Sequence, residues 1–186
     1  GYFSDKSILS YWPAGYPILI WLLTKISLAH VIYLIAFTQS IFYAYSSYYF
    51  VKQLRGTKLQ PYMSLIGLAL AFNPTLSLSS LAVGYESPIA ACMLMVVGLI
   101  MKSRQSGHDR QFILRAIAVG FFSALASFMQ PRWILTSIVI ALFWALITKG
   151  RKAQALILVG VVGVMTLAPA IMMPVSYTHL TLPTKR

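Results

Sequence analysis

Residues 88–129 read PIAACMLMVVGLIM (88–101), KSRQSGHDR (102–110) and QFILRAIAVGFFSALASFM (111–129). An apolar run, a basic loop and a second apolar run follow one another. A hydrocarbon core of about 30 Å is crossed by about 20 apolar helical residues, so each run is of the order of one membrane span. Lys and Arg between two such runs are typical of a cytoplasmic loop. The stretch therefore predicts two transmembrane helices joined by an inner loop.

The composition extends this interpretation to the whole chain. Of its 186 residues, 59% are hydrophobic and only 10% are charged, which is too apolar for a soluble domain. The formal net charge of +12 would suggest nucleic acid in a soluble protein. Here the bases stand in short clusters between apolar runs, so we exclude nucleic acid as a partner. Cys92, the only cysteine, lies inside an apolar run and predicts neither a disulfide nor a metal site.

The apolar runs predict an all-α, polytopic transmembrane helical bundle with about six spanning helices. The predicted spans are residues 28–51, 61–80, 88–101, 115–129, 133–148 and 153–173. Residues 13–26 are short for a span and are predicted to form a juxtamembrane helix on the outer side. Asn73-Pro74 is expected to kink the second span or end it early, because proline removes a helical hydrogen bond. Gly120 with Ala124, and Gly160 with Gly163, are expected to allow close helix packing.

Basic residues give the expected orientation through the positive-inside rule. Three of them fall on the predicted outer side: Lys6, Lys25 and Arg132. Ten fall on the predicted inner side: Lys52, Arg55, Lys58, Lys102, Arg104, Arg110, Arg115, Lys149, Arg151 and Lys152. The bias predicts a multi-pass protein of a bacterial or archaeal plasma membrane.

Both ends of the chain are interpreted separately. The chain starts at Gly1 without the order of segments that marks a signal peptide. Residues 175–186, VSYTHLTLPTKR, resemble a translated sequencing adapter and are left out of functional reasoning. Residues 1–174 are accordingly expected to be a partial transmembrane module with a cut N-terminus.

Unusual polar and aromatic residues collect at the predicted outer boundary. They are Asp5, Lys6, Tyr11, Trp12, Tyr16, Tyr85, Glu86 and Arg132. Ionisable groups at membrane depth are costly and are functional candidates for that reason. The aromatic residues suit an interface belt, although such rings also stack on sugars and isoprenoids. Neither His30 nor His108 has other metal-ligating residues at a suitable spacing, so no metal site is predicted and a divalent cation has no support in the sequence.

Glu86 and Arg132 each have two interpretations. Glu86 precedes Ser87, a potential helix cap, and Pro88, which suits a first helical turn. Its carboxylate either complements the helix dipole, worth about 0.3–1 kcal/mol, or takes part in a ligand site. Arg132 follows Pro131 at an expected helix start, where a guanidinium beside free N–H groups suits a phosphate. The alternative for Arg132 is snorkelling to lipid headgroups.

Three short segments together resemble a known family. They are YWPAGYP (11–17), the pair NP (73–74) followed by YESP (85–88), and QPR (130–132). They resemble segments of the GT-C superfamily of membrane glycosyltransferases, in particular the group similar to dolichyl-phosphate-mannose protein mannosyltransferases. The resemblance implies transfer of a sugar from a polyprenyl-phosphate carrier to an acceptor on the non-cytoplasmic face. A carboxylate would act as base and cations would hold the carrier phosphate.

The resemblance leaves the catalytic residue unassigned. By the resemblance, residues 1–174 lack the first span and most of the first outer loop. The family's catalytic aspartate lies early in that loop, upstream of what corresponds to Gly1, so the fragment itself is expected to be inactive. Asp5 and Glu86 are weak candidates for catalysis. Arg132 and Lys6 are predicted to bind the donor phosphate. The residues predicted to contact the sugar or lipid are Tyr11, Trp12, Tyr16 and Tyr85. The alternatives are a transporter or flippase component and a structural membrane subunit without catalysis.

Overall fold

The computed structural model describes residues 15–105, 109–147 and 159–165, and all regular structure in these ranges is helical. The α-helices are α1 (Gly15–Ile26), α2 (Val31–Lys52), α3 (Met63–Ala71), α4 (Pro74–Ser79), α5 (Glu86–Gln105), α6 (Asp109–Met129) and α7 (Trp133–Ile147). A short 3₁₀ turn, Gln60–Tyr62, precedes α3, and residues 159–165 are also helical. The all-α prediction is confirmed for these ranges, whereas the predicted tail at 175–186 lies outside them.

Two helices are long and apolar enough to cross a membrane. The qualifying segments are Glu86–Ser103 in α5 and Gln111–Met129 in α6. Helices α1 and α2 meet the same criterion only as a pair, and the chain bends by 119° between them. The described residues therefore contain two potential spans, or three if that pair is one broken span, instead of the six expected from the sequence.

Three of the six predicted spans do not qualify on their own within the described residues. Helix α2 has 22 residues but carries several tyrosines and serines, which make it too polar to qualify alone. Helix α7 is described over 15 residues, with an apolar stretch of Trp133–Trp144, and residues 148–158 lie outside the described ranges. Of the predicted span 153–173, only 159–165 lie within the described residues.

Asn73 and Pro74 divide the predicted helix 61–80 into α3 and α4. Pro74 is the first residue of α4, where its missing N–H costs no hydrogen bond. Asn73 caps the same helix, since its Oδ1 accepts a hydrogen bond from the Leu76 amide at 3.2 Å. The predicted interruption is confirmed, and it leaves helices of nine and six residues that are each too short to span.

Helix α1 is the short helix predicted over 13–26. Its 12 residues reach about 18 Å, well below the thickness of the hydrocarbon core. The 119° bend over residues 27–30 turns the chain back into α2. Within the described residues α1 is thus too short to cross a membrane alone, and it packs on α2 and α6.

The long helices define two ends of the bundle. Ile89 and Met129 belong to one buried cluster, with Tyr85 and Trp133 packed against it, so α5 begins where α6 ends. We call this the Glu86 end. At the opposite end, Arg115 Nη1 donates a hydrogen bond to the Lys102 carbonyl at 3.3 Å. We call that end, to which α2 also brings Tyr49 and Lys52, the Lys102 end.

Glycines mark the closest helix contacts. A Cβ on Gly15 would lie 2.7 Å from the Phe128 carbonyl carbon, which brings α1 directly onto the α6 backbone. A Cβ on Gly98 would lie 2.9 Å from the Tyr49 ring, and one on Gly120 would lie 2.8 Å from Met165 Sδ. The packing expected at Gly120 is confirmed. Among the described residues, Gly160 and Gly163 have no neighbour within 4 Å of such a Cβ, so the contact expected of them stays a prediction.

We predict that Gly15→Ala destabilises the protein by about 1–3 kcal/mol, because a backbone cannot move aside as a flexible side chain can. Gly160→Ala is the matched control, since its new methyl enters open space and alanine favours a helix by about 1 kcal/mol. Thermal unfolding in detergent, followed by circular dichroism, measures both. Equal unfolding temperatures for the two variants would contradict the packing of α1 on α6.

Candidate functional site

Gln39 links three segments at the Glu86 end. Its side chain is buried in α2 and only 2% exposed. The Nε2 group donates hydrogen bonds to the Tyr16 hydroxyl at 2.6 Å and to the Gly84 carbonyl at 3.1 Å. Because a buried amide left without partners costs about 1–3 kcal/mol, these contacts strongly favour one arrangement of α1, α2 and the loop before α5.

Tyr16 is enclosed between Gln39 and Tyr85. Its ring meets the Tyr85 ring edge-on, with centroids 6.5 Å apart and an interplanar angle of 81°. Burial raises the pKa of Tyr16 above its usual value, the Gln39 hydrogen bond opposes that shift, and the nearby Glu86 charge adds to it. The phenol is therefore neutral across the physiological range. With 8% of its surface exposed, Tyr16 has little ring area left for a ligand, whereas Tyr85 is half-buried.

Glu86 is the first residue of α5 and its side chain is exposed. A Cβ at Gly84 would collide with Glu86 Oε2, so the carboxylate folds back over the loop that precedes the helix. The expected cap at Ser87 is wrong, because the helix begins one residue earlier and the buried Ser87 hydroxyl has no hydrogen-bond partner among the described residues. The carboxylate in the first turn of α5 suits the helix dipole and leaves its ligand role open.

Arg132 is exposed in the turn between α6 and α7. Helix α7 begins at Trp133, directly after it, as the sequence indicated. The amides of Trp133 and Ile134 already donate to the carbonyls of Gln130 and Pro131, at 3.1 and 3.0 Å. The expected free N–H groups at these two positions are thus occupied, and anion binding at Arg132 depends on its guanidinium.

The structure brings four of the predicted site residues to the Glu86 end. They are Tyr16, Tyr85, Glu86 and Arg132. Trp133, next to Arg132, packs against the same buried cluster as Tyr85, which places the turn at this end. Four other predicted residues lie outside the described ranges: Asp5, Lys6, Tyr11 and Trp12.

An apolar cavity of about 230 Å³ opens beside Gln39. Helices α1, α2 and α6 form most of its wall, with Pro88 of α5 completing it. The lining side chains include Ile18, Leu22, Phe42, Leu125 and Phe128. Its size and lining suit a hydrocarbon segment more than a polar molecule.

Sequence reasoning missed the polar triplet Thr38-Gln39-Ser40. Thr38 and Gln39 line the cavity, and the hydroxyls of Ser40 and Ser80 share a hydrogen bond at 3.2 Å. The triplet interrupts an otherwise apolar and aromatic run, and that interruption was the signal that could have identified it.

The described residues contain no group of three or more His, Cys, Asp or Glu side chains placed to hold a metal ion. No protein-family model, curated protein or solved structure matches the chain. The site is therefore interpreted from its own geometry.

A double-mutant cycle of Tyr16→Phe and Gln39→Met tests the link between α1 and α2. We expect a coupling of about 1 kcal/mol in the free energy of unfolding, the usual net value of one hydrogen bond. Chemical unfolding of the four proteins in detergent measures it. Ser40→Ala with Tyr16→Phe is the control pair, because these residues share no hydrogen bond with each other and should be additive. A coupling near zero in the first cycle would contradict the Gln39 contact.

Proposed function

We propose that the chain is part of an integral membrane glycosyltransferase that uses a polyprenyl-phosphate sugar at the Glu86 end. The observation that carries this proposal is the grouping of a guanidinium, a carboxylate and two tyrosines at one bundle end, beside an apolar cavity. A polyprenyl-phosphate sugar has three matching parts: a hydrocarbon chain, a phosphate and a hydroxylated ring. The resemblance of the segments at 73–74, 85–88 and 130–132 adds independent support.

Arg132 is assigned to the carrier phosphate, together with Lys6. An arginine donates to phosphate oxygens through two parallel N–H groups, and it keeps its charge at every physiological pH. Because the phosphate becomes the leaving group when the sugar is transferred, a fixed cation beside it lowers the barrier as well as the dissociation constant. Arg132 is well exposed for this contact.

Glu86 and the tyrosines have supporting roles in the proposal. Glu86 organises the site through its position over Gly84 and beside Tyr16. Because the Tyr16 ring is covered, we assign Tyr16 to positioning Tyr85 and no longer to contacting the ligand. The half-exposed Tyr85 ring, with Tyr11 and Trp12, is assigned to the sugar or the first isoprenes. The catalytic base remains unassigned.

The Glu86 end is assigned to the non-cytoplasmic face. Lys52, Lys102 and Arg115 gather at the opposite end, and clustered bases face the cytoplasm in most membrane proteins. The segments of α5 and α6 that are long enough to cross would place the Glu86 end at one face of the membrane and the Lys102 end at the other. This orientation agrees with lipid-linked sugar transfer outside the cytoplasm.

Arg132→Ala is expected to weaken binding of radiolabelled polyprenyl-phosphate mannose to the chain in lipid nanodiscs by about 10- to 100-fold. This follows from the roughly 1.5–3 kcal/mol contributed by a hydrogen bond to a charged group. Arg132→Lys should retain part of the affinity. Lys25→Ala is the matched control, because Lys25 lies about 15 Å along α1 from Gly15 and its amine is over Trp21. Wild-type affinity in Arg132→Ala would overturn the phosphate assignment.

Gly84→Ala should lower sugar transfer by the full-length protein about 10-fold or more, because its methyl displaces the Glu86 carboxylate without changing any charge. The unfolding temperature should change little, since the displaced group is the end of a flexible side chain. Gly67→Ala is the control, as its methyl would meet only the Val51 methyl groups at an ordinary 3.9 Å. Unchanged transfer in Gly84→Ala would exclude Glu86 from the site.

A further inference from the structure

Basic and aromatic side chains from three helices converge at the Lys102 end. Lys52 Nζ lies 5.9 Å from the Tyr48 ring centroid, and Lys102 Nζ lies 6.0 Å from the Tyr49 ring centroid. Both distances are at the outer limit of a cation–π contact. The Arg115 guanidinium donates to the Lys102 carbonyl, so α2, α5 and α6 each bring a cation to the same place.

Carboxylates of the protein are too few to neutralise this end. The whole sequence has three acids: Asp5, Glu86 and Asp109. Glu86 belongs to the opposite end, which leaves two at most. The cations near the Lys102 end are Lys52, Arg55, Lys58, Lys102 and Arg115. Five cations against at most two carboxylates leave a net positive charge that attracts anions from outside the chain.

The position of these cations along the helices identifies the source of the anions. Lys102 is exposed near the end of the segment Glu86–Ser103, which is long enough to cross a membrane. Tyr48, one helical turn before Lys52, is 64% exposed, and Tyr45, two turns before it, is 56% exposed. Exposed tyrosines beside lysines at the end of a membrane-length helix are typical of the headgroup level.

We propose that the Lys102 end is a binding surface for anionic phospholipids. Lys52 and Lys102 contact the lipid phosphates and the acidic headgroups. The exposed Tyr45 and Tyr48 flank those headgroups, with their rings toward the acyl boundary. Such a surface anchors this end of the bundle in an anionic leaflet. The proposal does not depend on the chemistry of the Glu86 end.

The test compares two spin-labelled lipids, phosphatidylglycerol and phosphatidylcholine, with the chain reconstituted in phosphatidylcholine vesicles. Electron paramagnetic resonance measures the association of each lipid with the protein. We expect the protein to prefer phosphatidylglycerol. In Lys52→Gln and Lys102→Gln the preference should fall by a factor of up to about five for each lysine. The double variant should lose more of the preference than either single variant, because only Arg55, Lys58 and Arg115 of the five cations remain.

Lys25→Gln is the matched control, because it removes one positive charge at the end of α1, away from the Lys102 end. It should keep the wild-type preference. Equal association of both lipids with the wild-type chain would overturn the proposal. So would an unchanged preference in the double variant, or a loss in Lys25→Gln as large as in Lys102→Gln. Inorganic phosphate at constant ionic strength should leave the preference unchanged, and its displacement of the lipid would show a soluble anion site instead.

Discussion

The arrangement of the Glu86 end depends on the buried amide of Gln39. Its Nε2 group holds the Tyr16 hydroxyl and the Gly84 carbonyl at once, whereas its Oε1 is buried without a partner within the described residues. Hydrophobic burial alone would let α1 slide along α2, because one apolar contact is replaced by another at little cost. The two hydrogen bonds of Gln39 remove that freedom, since few positions satisfy a buried amide. The cavity, the Tyr85 ring and the start of α5 are positioned through this one side chain.

Much of the fold could be predicted from local pattern. Apolar runs flanked by bases predicted α5 and α6, and the proline at 74 predicted the break between α3 and α4. Local pattern could not predict that Gln39 meets Gly84, because the two are 45 residues apart and their contact depends on how α2 and α5 align. A run of suitable hydropathy sets a maximum helix length, whereas packing and end effects decide where a helix stops.

For the predicted site, too, residue type could be used as a guide, whereas the geometry could not be predicted. The residue types were sufficient to select Glu86 and Arg132 as unusual, and topology then brought both to one end. The hydrogen bonds around Arg132 differ from those expected from the sequence. Helix α7 was expected to offer free amides beside Arg132, yet the carbonyls of Gln130 and Pro131 accept from its first two. The sequence shows that a helix begins, but the turn before it decides which donors remain available.

The two ends of the bundle use positive charge in different ways. At the Lys102 end, several cations lie beside exposed tyrosines, and an excess of this kind suits many weak contacts with a leaflet of anionic headgroups. The exposed cation Arg132 shares the Glu86 end of the bundle with one carboxylate and an apolar cavity. A single guanidinium with few competitors can select one phosphate by geometry, because its paired N–H groups match two oxygens. The difference in number and neighbours favours general attraction at one end and recognition of one ligand at the other. If charge alone mattered, the Lys102 end would be the better phosphate site. The cavity beside Gln39 is what favours a lipid-linked phosphate at the Glu86 end.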